Sequence, residues 1–484
     1  MAFYDLREFI NALESRGMLK RIKTPVDCNL EITEITDRVS KMEGKKNVAL
    51  LFVKGYDMPV LMNAFGSMER LALAFGVNDI EEIPNELREI LRLPYISLQN
   101  KMDLIHIIPT AKRAINFPKY VKKAPCQEVV ITDNPTLDKF PILKCWPQDG
   151  GPFITLPLVF TRNPKTGKRN VGMYRLQKYD GQTTGMHWHL HKDGASNYRA
   201  YQEMGKDKIE VAVAIGTDPV ITYAATAPLP RDIDEMVFAG FLRKKSVEMV
   251  KCKTVDVEVP ACSEIVLEGY VNIGETRREG PFGDHTGYYS LADDYPVFHI
   301  TCITHRKNPI YSATIVGKPP MEDCFLAKAT ERIFLPLLQQ TLPEIRDINF
   351  PLEGVFHDCV MVSIKKTYPQ QAKKVMHAIW GMGQMMFTKM IIVVDEHVDV
   401  QKEKEVWWRV FNNIDAKHDI VMVEGPLDAL DHSSPMAEWG TKIGIDATKT
   451  WPEEGHTREW PDEINMSDDI KKLVDAKWQE LGLE

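Results

Sequence analysis

The sequence predicts an α+β protein in three parts with a tail. A mixed α/β segment is expected over 1–115, a β-rich middle over 116–318, a second α/β segment over 319–464, and an amphipathic helix over 465–484. Two observations carry this. A chain of 484 residues is too long for one ordinary hydrophobic core. Its patterning also changes twice, from mixed periodicity to short runs of β-branched and aromatic residues, and back again.

Asp5 and Glu8 form a capping box around Leu6, Phe9, Ile10 and Leu13, and Gly17 follows as a stop, so the chain is expected to open on a helix. A strand over 48–53 and a short helix over 67–75 come next. Prolines and lysines crowd 109–125, which marks a boundary. Beyond it strands are expected over 128–132, 154–161, 171–178, 209–215, 263–271, 297–304 and 310–316, with helices over 196–204 and 232–242 among them. Seven strands in that length suggest a barrel or a sandwich. A long helix over 321–340, a strand over 359–364, a helix over 370–386 and a buried-type strand over 389–394 follow, and the alternation continues over 407–413 and 420–423. In the tail, Ile470, Leu473, Val474, Trp478 and Leu481 share one face of a helix whose first turn carries Asp468 and Asp469. A helix exposing such a face docks on its own chain or on a partner.

Apolar residues make up 44% and charged residues 26% of the chain, the balance of a globular protein in water. A formal net charge of −8 argues against nucleic acid as a partner, and the basic run 112–123 reads as a solvated linker. The eight cysteines include no C-x-x-C pair, so zinc-ribbon and thioredoxin-like readings fail and a reducing cytoplasm is the expected home. The first residues lack a signal-peptide pattern, and no apolar run reaches the length of a bilayer span.

The chemistry is concentrated in Glu279-Gly280-Pro281-Phe282-Gly283-Asp284-His285-Thr286-Gly287-Tyr288-Tyr289. Two carboxylates five residues apart bracket a Gly/Pro turn that can aim both into one pocket; a plain polar turn between strands is the alternative. His187, His189 and His191 alternate, so an extended segment puts three imidazoles on one face. They could form a metal strand, or one of them could bind with oxygen ligands such as Asn170 and Glu235, a set suited to Mn²⁺ or Mg²⁺. Arg175 is either a surface arginine or a fixed fork for carboxylate or phosphate. Lys389 is either a phosphate partner or a lysine at a strand edge.

In order along the chain stand Asn170-Val171-Gly172-Met173-Tyr174-Arg175, His187-Trp188-His189-Leu190-His191-Lys192-Asp193-Gly194, and Ala227-Pro228-Leu229-Pro230 leading to Glu235. Glu268-Gly269-Tyr270, the Glu279 to Tyr289 loop, Gly317-Lys318-Pro319-Pro320 and Thr388-Lys389 follow. This set resembles the UbiD family of prenylated-FMN-dependent decarboxylases, and within it the 4-hydroxy-3-polyprenylbenzoate decarboxylases of ubiquinone biosynthesis. The resemblance covers nearly the whole chain.

It implies a central split β-barrel of flavin-reductase type that binds prenylated FMN. Asn170, His191 and Glu235 match ligands of a Mn²⁺ that ties the cofactor phosphate to the protein. Met173, Tyr174, Arg175, His187, Trp188, His189, Lys192 and Asp193 match cofactor-binding segments, and Lys389 matches a lysine reaching the phosphate from the C-terminal segment. A K⁺ held by carbonyls around Ala224, Ala225 and Ala227 is also implied. Arg175, Glu279 and Asp284 match the catalytic network, with Asp284 as proton donor. Asp284 stands where branches acting on cinnamic-type acids carry Glu, which favours the aromatic-acid branch. His187 and His189 have no role that the resemblance requires.

The implied partners are a small aromatic acid, a flavin prenyltransferase that supplies the cofactor, and further copies of the chain in a dimer-based homo-oligomer. Peripheral membrane association is expected if the substrate is polyprenylated. An ring carbanion left by departing CO₂ needs a cofactor as electron sink, and a buried carboxylic acid, its pKa raised by desolvation and a neighbouring carboxylate, is the expected proton source. The same motifs admit a phenol or phenyl phosphate carboxylase, a decarboxylase of simple hydroxybenzoate or a menaquinone precursor, and a non-catalytic flavin-binding subunit. A metal hydrolase built on the histidine strand is the reading without flavin.

Overall fold

A computed structural model describes residues 2–92, 116–188, 193–229 and 233–482, the side chains of Arg92 and Asp193 excepted. His189, His191, Lys192, Pro230 and Asp232 lie outside the described residues, as do residues 109–115 of the expected boundary over 109–125. The architecture is mixed α+β with several sheets. No helix of the described residues is long and apolar enough to cross a membrane.

The first helix, Leu6–Ser15, starts where the capping residues place it: Asp5 accepts from the Glu8 N–H, and Leu6, Phe9, Ile10 and Leu13 are buried. Ser67 caps Met68–Phe75 in the same way, and Gly76 ends that helix in the left-handed region. The N-terminal sheet orders Leu19–Ile22, Ala49–Phe52, Val60–Met62 and Tyr311–Ser312. Its last strand was expected, over 310–316, to belong to the β-rich middle. Instead Tyr311–Ser312 runs parallel to Val60–Met62 and ties the two segments together.

The central sheet has seven strands. Its path runs Thr183–Gly185, Asp293–His305, Ile265–Glu279, Lys208–Ile215, Leu158–Arg162 and Arg169–Met173, with Val129–Ile131 pairing beside Asp293–His305. The hydrogen-bonded order is open between its end strands. Lys208–Ile215 serves two cores at once: Ile209, Val211, Val213 and Ile215 face one, Ala212 and Ala214 the other.

Two expected strands are each broken, and both breaks shape the site. The run over 154–161 divides around Pro157, which has no N–H for a ladder, into Phe153–Ile154 and Leu158–Arg162. The run over 171–178 divides into Arg169–Met173 and Leu176–Gln177, leaving Tyr174 and Arg175 in the gap; Leu176–Gln177 pairs with Phe153–Ile154 apart from the central sheet.

The C-terminal sheet orders Ile345–Asn349, Cys359–Ile364, Met390–Asp395, Trp439–Asp446 and Ile420–Pro426, with a parallel centre and antiparallel edges. The helix expected over 370–386 stops at Trp380, because Gly381 and Gly383 follow and Gly383 takes φ +49°. In the tail the helix spans Asp468–Asp475, and Ile470, Leu473, Val474, Trp478 and Leu481 are all exposed.

Candidate active site

The gap between two short strands, a helix N-terminus and a glycine-rich loop converge on a cavity of about 610 Å³. Its wall includes Asn170, Met173, Tyr174, Arg175, His187, Ala225, Ala227, Glu235, Phe282, Asp284 and His285, and from the C-terminal segment Gln384 and Leu430.

Glu279 is the last residue of Ile265–Glu279, and the chain turns at Gly280, whose φ of +89° only glycine adopts freely. Within the segment read as a Gly/Pro turn, Phe282–Gly283 pairs with Tyr289–Ser290 as a miniature hairpin. Gly283 is required there, since a Cβ would sit 2.1 Å from Cδ1 of Trp146. Asp149 reinforces the clamp: one carboxylate oxygen accepts the Gly283 N–H at 2.8 Å and the other accepts from Cys145 and Trp146.

The structure brings Arg175, Glu279 and Asp284 together. Arg175 Nε donates to Glu279 Oε1 at 3.1 Å, Nη1 pairs with Asp284 Oδ2, and Nη2 donates to Ser290 Oγ at 3.1 Å. The guanidinium lies 4.5 Å from the centre of the Phe282 ring. All three side chains are at most a tenth exposed. Burial pushes Asp284 upward, but the Arg175 charge and the bonds from His285 outweigh it and hold the carboxyl well below its usual range. An acid raised by desolvation is therefore not what the structure shows; Asp284 rests as a carboxylate.

His187 extends the network. Its Nδ1 lies 2.7 Å from Glu279 Oε1, and burial together with Arg175 holds its pKa below the ordinary value against the pull of Glu279. The neutral imidazole donates to the carboxylate. Trp188 is buried beside Tyr198, and the Tyr174 hydroxyl accepts from Gly194.

Also on the cavity wall, Glu235 opens the helix Glu235–Arg243 behind its cap, Asp234. It accepts from Asn170 Nδ2 at 3.1 Å and from the Val171 N–H at 3.1 Å. Asn170 Oδ1 is buried without a hydrogen-bond partner. His191, the third expected ligand, is outside the described residues, and among the described ones no group of three His, Cys, Asp or Glu could hold a metal. The carbonyls of Ala224 and Ala227 accept from the N–H groups of Ala227 and Leu229.

Lys389 stands apart from the cavity wall. It immediately precedes Met390–Asp395, donates to Asp431 Oδ1 at 3.1 Å and bonds Ser433 Oγ. Residues that the sequence did not single out include Phe282, beneath Arg175, and Asp149 and Trp146, which clamp the loop. His285, visible in the motif but given no role, lies on the wall with Asp284.

Three family models match the chain. The 3-octaprenyl-4-hydroxybenzoate carboxy-lyase N-terminal domain matches residues 10–90, the Rift-related domain 119–319, and the C-terminal domain 324–447. An uncharacterized protein of Archaeoglobus fulgidus is 55% identical over 99% of both chains. The vanillic acid decarboxylase of Sedimentibacter hydroxybenzoicus, in closed form, is 30% identical with full coverage of both chains and a TM-score of 0.87. The UbiD-class enzyme HmfF from Pelotomaculum thermopropionicum, in complex with FMN, is 30% identical over 97% of this chain and 99% of its own, with a TM-score of 0.81.

Proposed function

The chain belongs to the UbiD family of prenylated-FMN-dependent decarboxylases, and from that premise we propose that it removes CO₂ from a 4-hydroxybenzoate-type aromatic acid, 3-polyprenyl-4-hydroxybenzoate being the expected substrate. One observation carries the reading: a single buried guanidinium, Arg175, bonded to both Glu279 and Asp284 on the wall of a cavity of cofactor-site size. The name of the similar vanillic acid decarboxylase, another 4-hydroxylated benzoate enzyme, supports the substrate class.

When bound, prenylated FMN supplies an electrophilic carbon able to accept the electrons that the ring retains as CO₂ leaves. Met173, Tyr174, Arg175, His187 and Trp188, with His189, Lys192 and Asp193 beyond them, would hold it. Asn170, Glu235 and His191 would hold Mn²⁺. The orphaned Asn170 Oδ1 beside the Glu235 carboxylate fits, because hard and borderline cations take such oxygen donors. Lys389 would have to leave Asp431 to meet a phosphate. The carbonyls near Ala224 to Ala227 would share their existing backbone bonds with a K⁺.

The protein's own groups orient the acid and move the proton. Arg175 bonds Glu279 and fixes Asp284 in direction, since a guanidinium forks to two carboxylates and stays charged. Asp284, a carboxylate at rest, takes up a proton and delivers it to the ring carbon. Phe282 and the loop clamp at Trp146 limit its freedom. The open central sheet is read as the split barrel, and the exposed face of Ile470, Leu473, Val474 and Trp478 as a contact to a second copy in a dimer-based assembly.

The test is a screen of aromatic acids with protein co-produced with a flavin prenyltransferase. CO₂ release from 4-hydroxylated benzoates, with or without a 3-polyprenyl chain, supports the reading. Release of none, or net carboxylation of phenols or phenyl phosphate under modest bicarbonate, sinks it in favour of a carboxylase or a non-catalytic subunit.

A further inference from the structure

Resting on the decarboxylase reading, we propose that His285 and His357 form a proton relay that recharges Asp284 from solvent, across the junction of the central and C-terminal segments. Both act through Asp284 and are positioning residues.

The relay is a run of close polar contacts. Asp284 Oδ1 accepts the His285 backbone N–H at 2.8 Å and lies 3.0 Å from His285 Nδ1. On the far side of the ring, His285 Nε2 lies 2.9 Å from His357 Nε2, a residue 72 positions away. His357 Nδ1 is 3.0 Å from Asp358 Oδ1, off the line of a hydrogen bond. Side-chain exposure rises along this path: 8% at Asp284, 13% at His285, 16% at His357 and 32% at Asp358. The order runs from the buried acid outward to water.

The backbone supports the contact at visible cost. Val355 and Phe356, the two residues before His357, take φ of +42° and +58°. Consecutive left-handed non-glycine residues are disfavoured, a β-branched one especially, and such strain gathers at functional sites. The result sets the Phe356 ring against His285, centroids 4.8 Å apart and 25° from parallel, with His357 at its edge.

The chemistry requires a supply of this kind. The bond from ring carbon to carboxylate breaks, the electron pair stays with the carbon, CO₂ departs, and the Asp284 proton forms the new C–H bond. Each turnover therefore consumes one proton and leaves Asp284 as a carboxylate. Arg175 cannot restore the proton, because a guanidinium does not release one in a protein. His285, protonated on both ring nitrogens, passes its Nδ1 proton to Asp284; once the neutral ring exchanges tautomer and carries its proton on Nδ1, the bared Nε2 takes one from His357 Nε2. His357 Nδ1, itself buried, is recharged through the partly exposed Asp358 carboxylate 3.0 Å away, and that ring exchanges tautomer in turn before the next turnover. The net change is one proton drawn from solvent. The charged and titratable groups that face His285 are Asp284, His357, Asp323 at the start of the helix Glu322–Thr341, and Asp428. Burial pushes His285 down, but these acids, Asp284 foremost, hold it above its ordinary value, so it stores a proton beside the group that spends one.

The test uses His357→Gln, with Asp358→Asn as a second variant, in the prenylated-FMN holoenzyme. The relay predicts an unchanged rate for the first turnover and steady-state turnover lowered by at least about tenfold, partly restored by added imidazole. In the cofactor-free protein, ¹⁵N-histidine NMR should show the His285 titration shifted when His357 is replaced. Wild-type steady-state rates in both variants at equal flavin content, or a His285 titration indifferent to His357, overturn the relay. A wild-type holoenzyme that releases CO₂ from no aromatic acid instead overturns the decarboxylase reading, and the relay with it.

Discussion

Arg175 Nε meets Glu279 Oε1 at 3.1 Å across 104 residues of chain. Arg175 sits in the gap between Arg169–Met173 and Leu176–Gln177, while Glu279 ends the strand Ile265–Glu279. The break in the first strand frees the arginine to reach the end of the other. Truncating Arg175 to Ala leaves two buried carboxylates without their cation. The expected cost is about 3–5 kcal/mol of stability together with loss of turnover. Denaturant unfolding and CO₂ release check both, and a variant as stable as the wild type would contradict the account.

Asp284→Asn keeps the shape and removes the acid. Turnover should fall by roughly two to four powers of ten while flavin content stays constant. Kinetics normalised to bound flavin decide it.

His187 is held neutral in the fold, its pKa below about 6.5 through burial and Arg175. The unfolded chain then binds the extra proton first, so this term is fully favourable above about pH 6.5 and stability is lost as pH falls below it. Replacing His187 with Gln removes the proton site. The gap in melting temperature between wild type and variant should widen toward alkaline pH relative to acid pH. A gap that is constant from pH 5 to 8 would show that His187 does not titrate as described.

Gly283→Ala places a methyl group on the Trp146 ring. Relief requires the loop to shift, at about 1–3 kcal/mol, and Asp284 shifts with it. Thermal melts and turnover should fall together; a neutral substitution would mean that the clamp does not set the acid.

Asn170→Ala and Glu235→Ala should lower the flavin and manganese that co-purify with the chain. Absorbance and elemental analysis read this directly, and unchanged contents in both variants would remove the pair from the anchor.

Much of this fold was legible because local signals agreed with it. Cys359–Ile364 is apolar at every position but Ser363, and the strand forms over those residues. The Asp5 and Ser67 caps mark their helices for the same reason. What stayed hidden depended on pairing over distance. Ile265–Glu279 runs eight residues past its expected end at 271, because Thr276, Arg277 and Arg278 read as a polar loop yet pair with Asp293–His305. Trp439–Asp446 carries Gly440, Lys442 and Gly444 and gives little strand signal, although it lies inside the C-terminal sheet. At the site, Glu279 and Asp284 stood out from residue type and spacing, whereas Arg175 read equally as a surface arginine and joined them only through the family resemblance. The meeting of His285 with His357 could not, since neither periodicity nor a motif links residues so far apart in sequence.

The central claim is that this chain turns over an aromatic acid only with a bound prenylated flavin. The direct measurement is CO₂ release from 3-polyprenyl-4-hydroxybenzoate and 4-hydroxybenzoate, plotted against cofactor occupancy determined by mass spectrometry of the native protein. The account predicts a line through the origin, with activity absent in the flavin-free chain. Release that is independent of occupancy, or a chain that takes up no prenylated flavin, would contradict it.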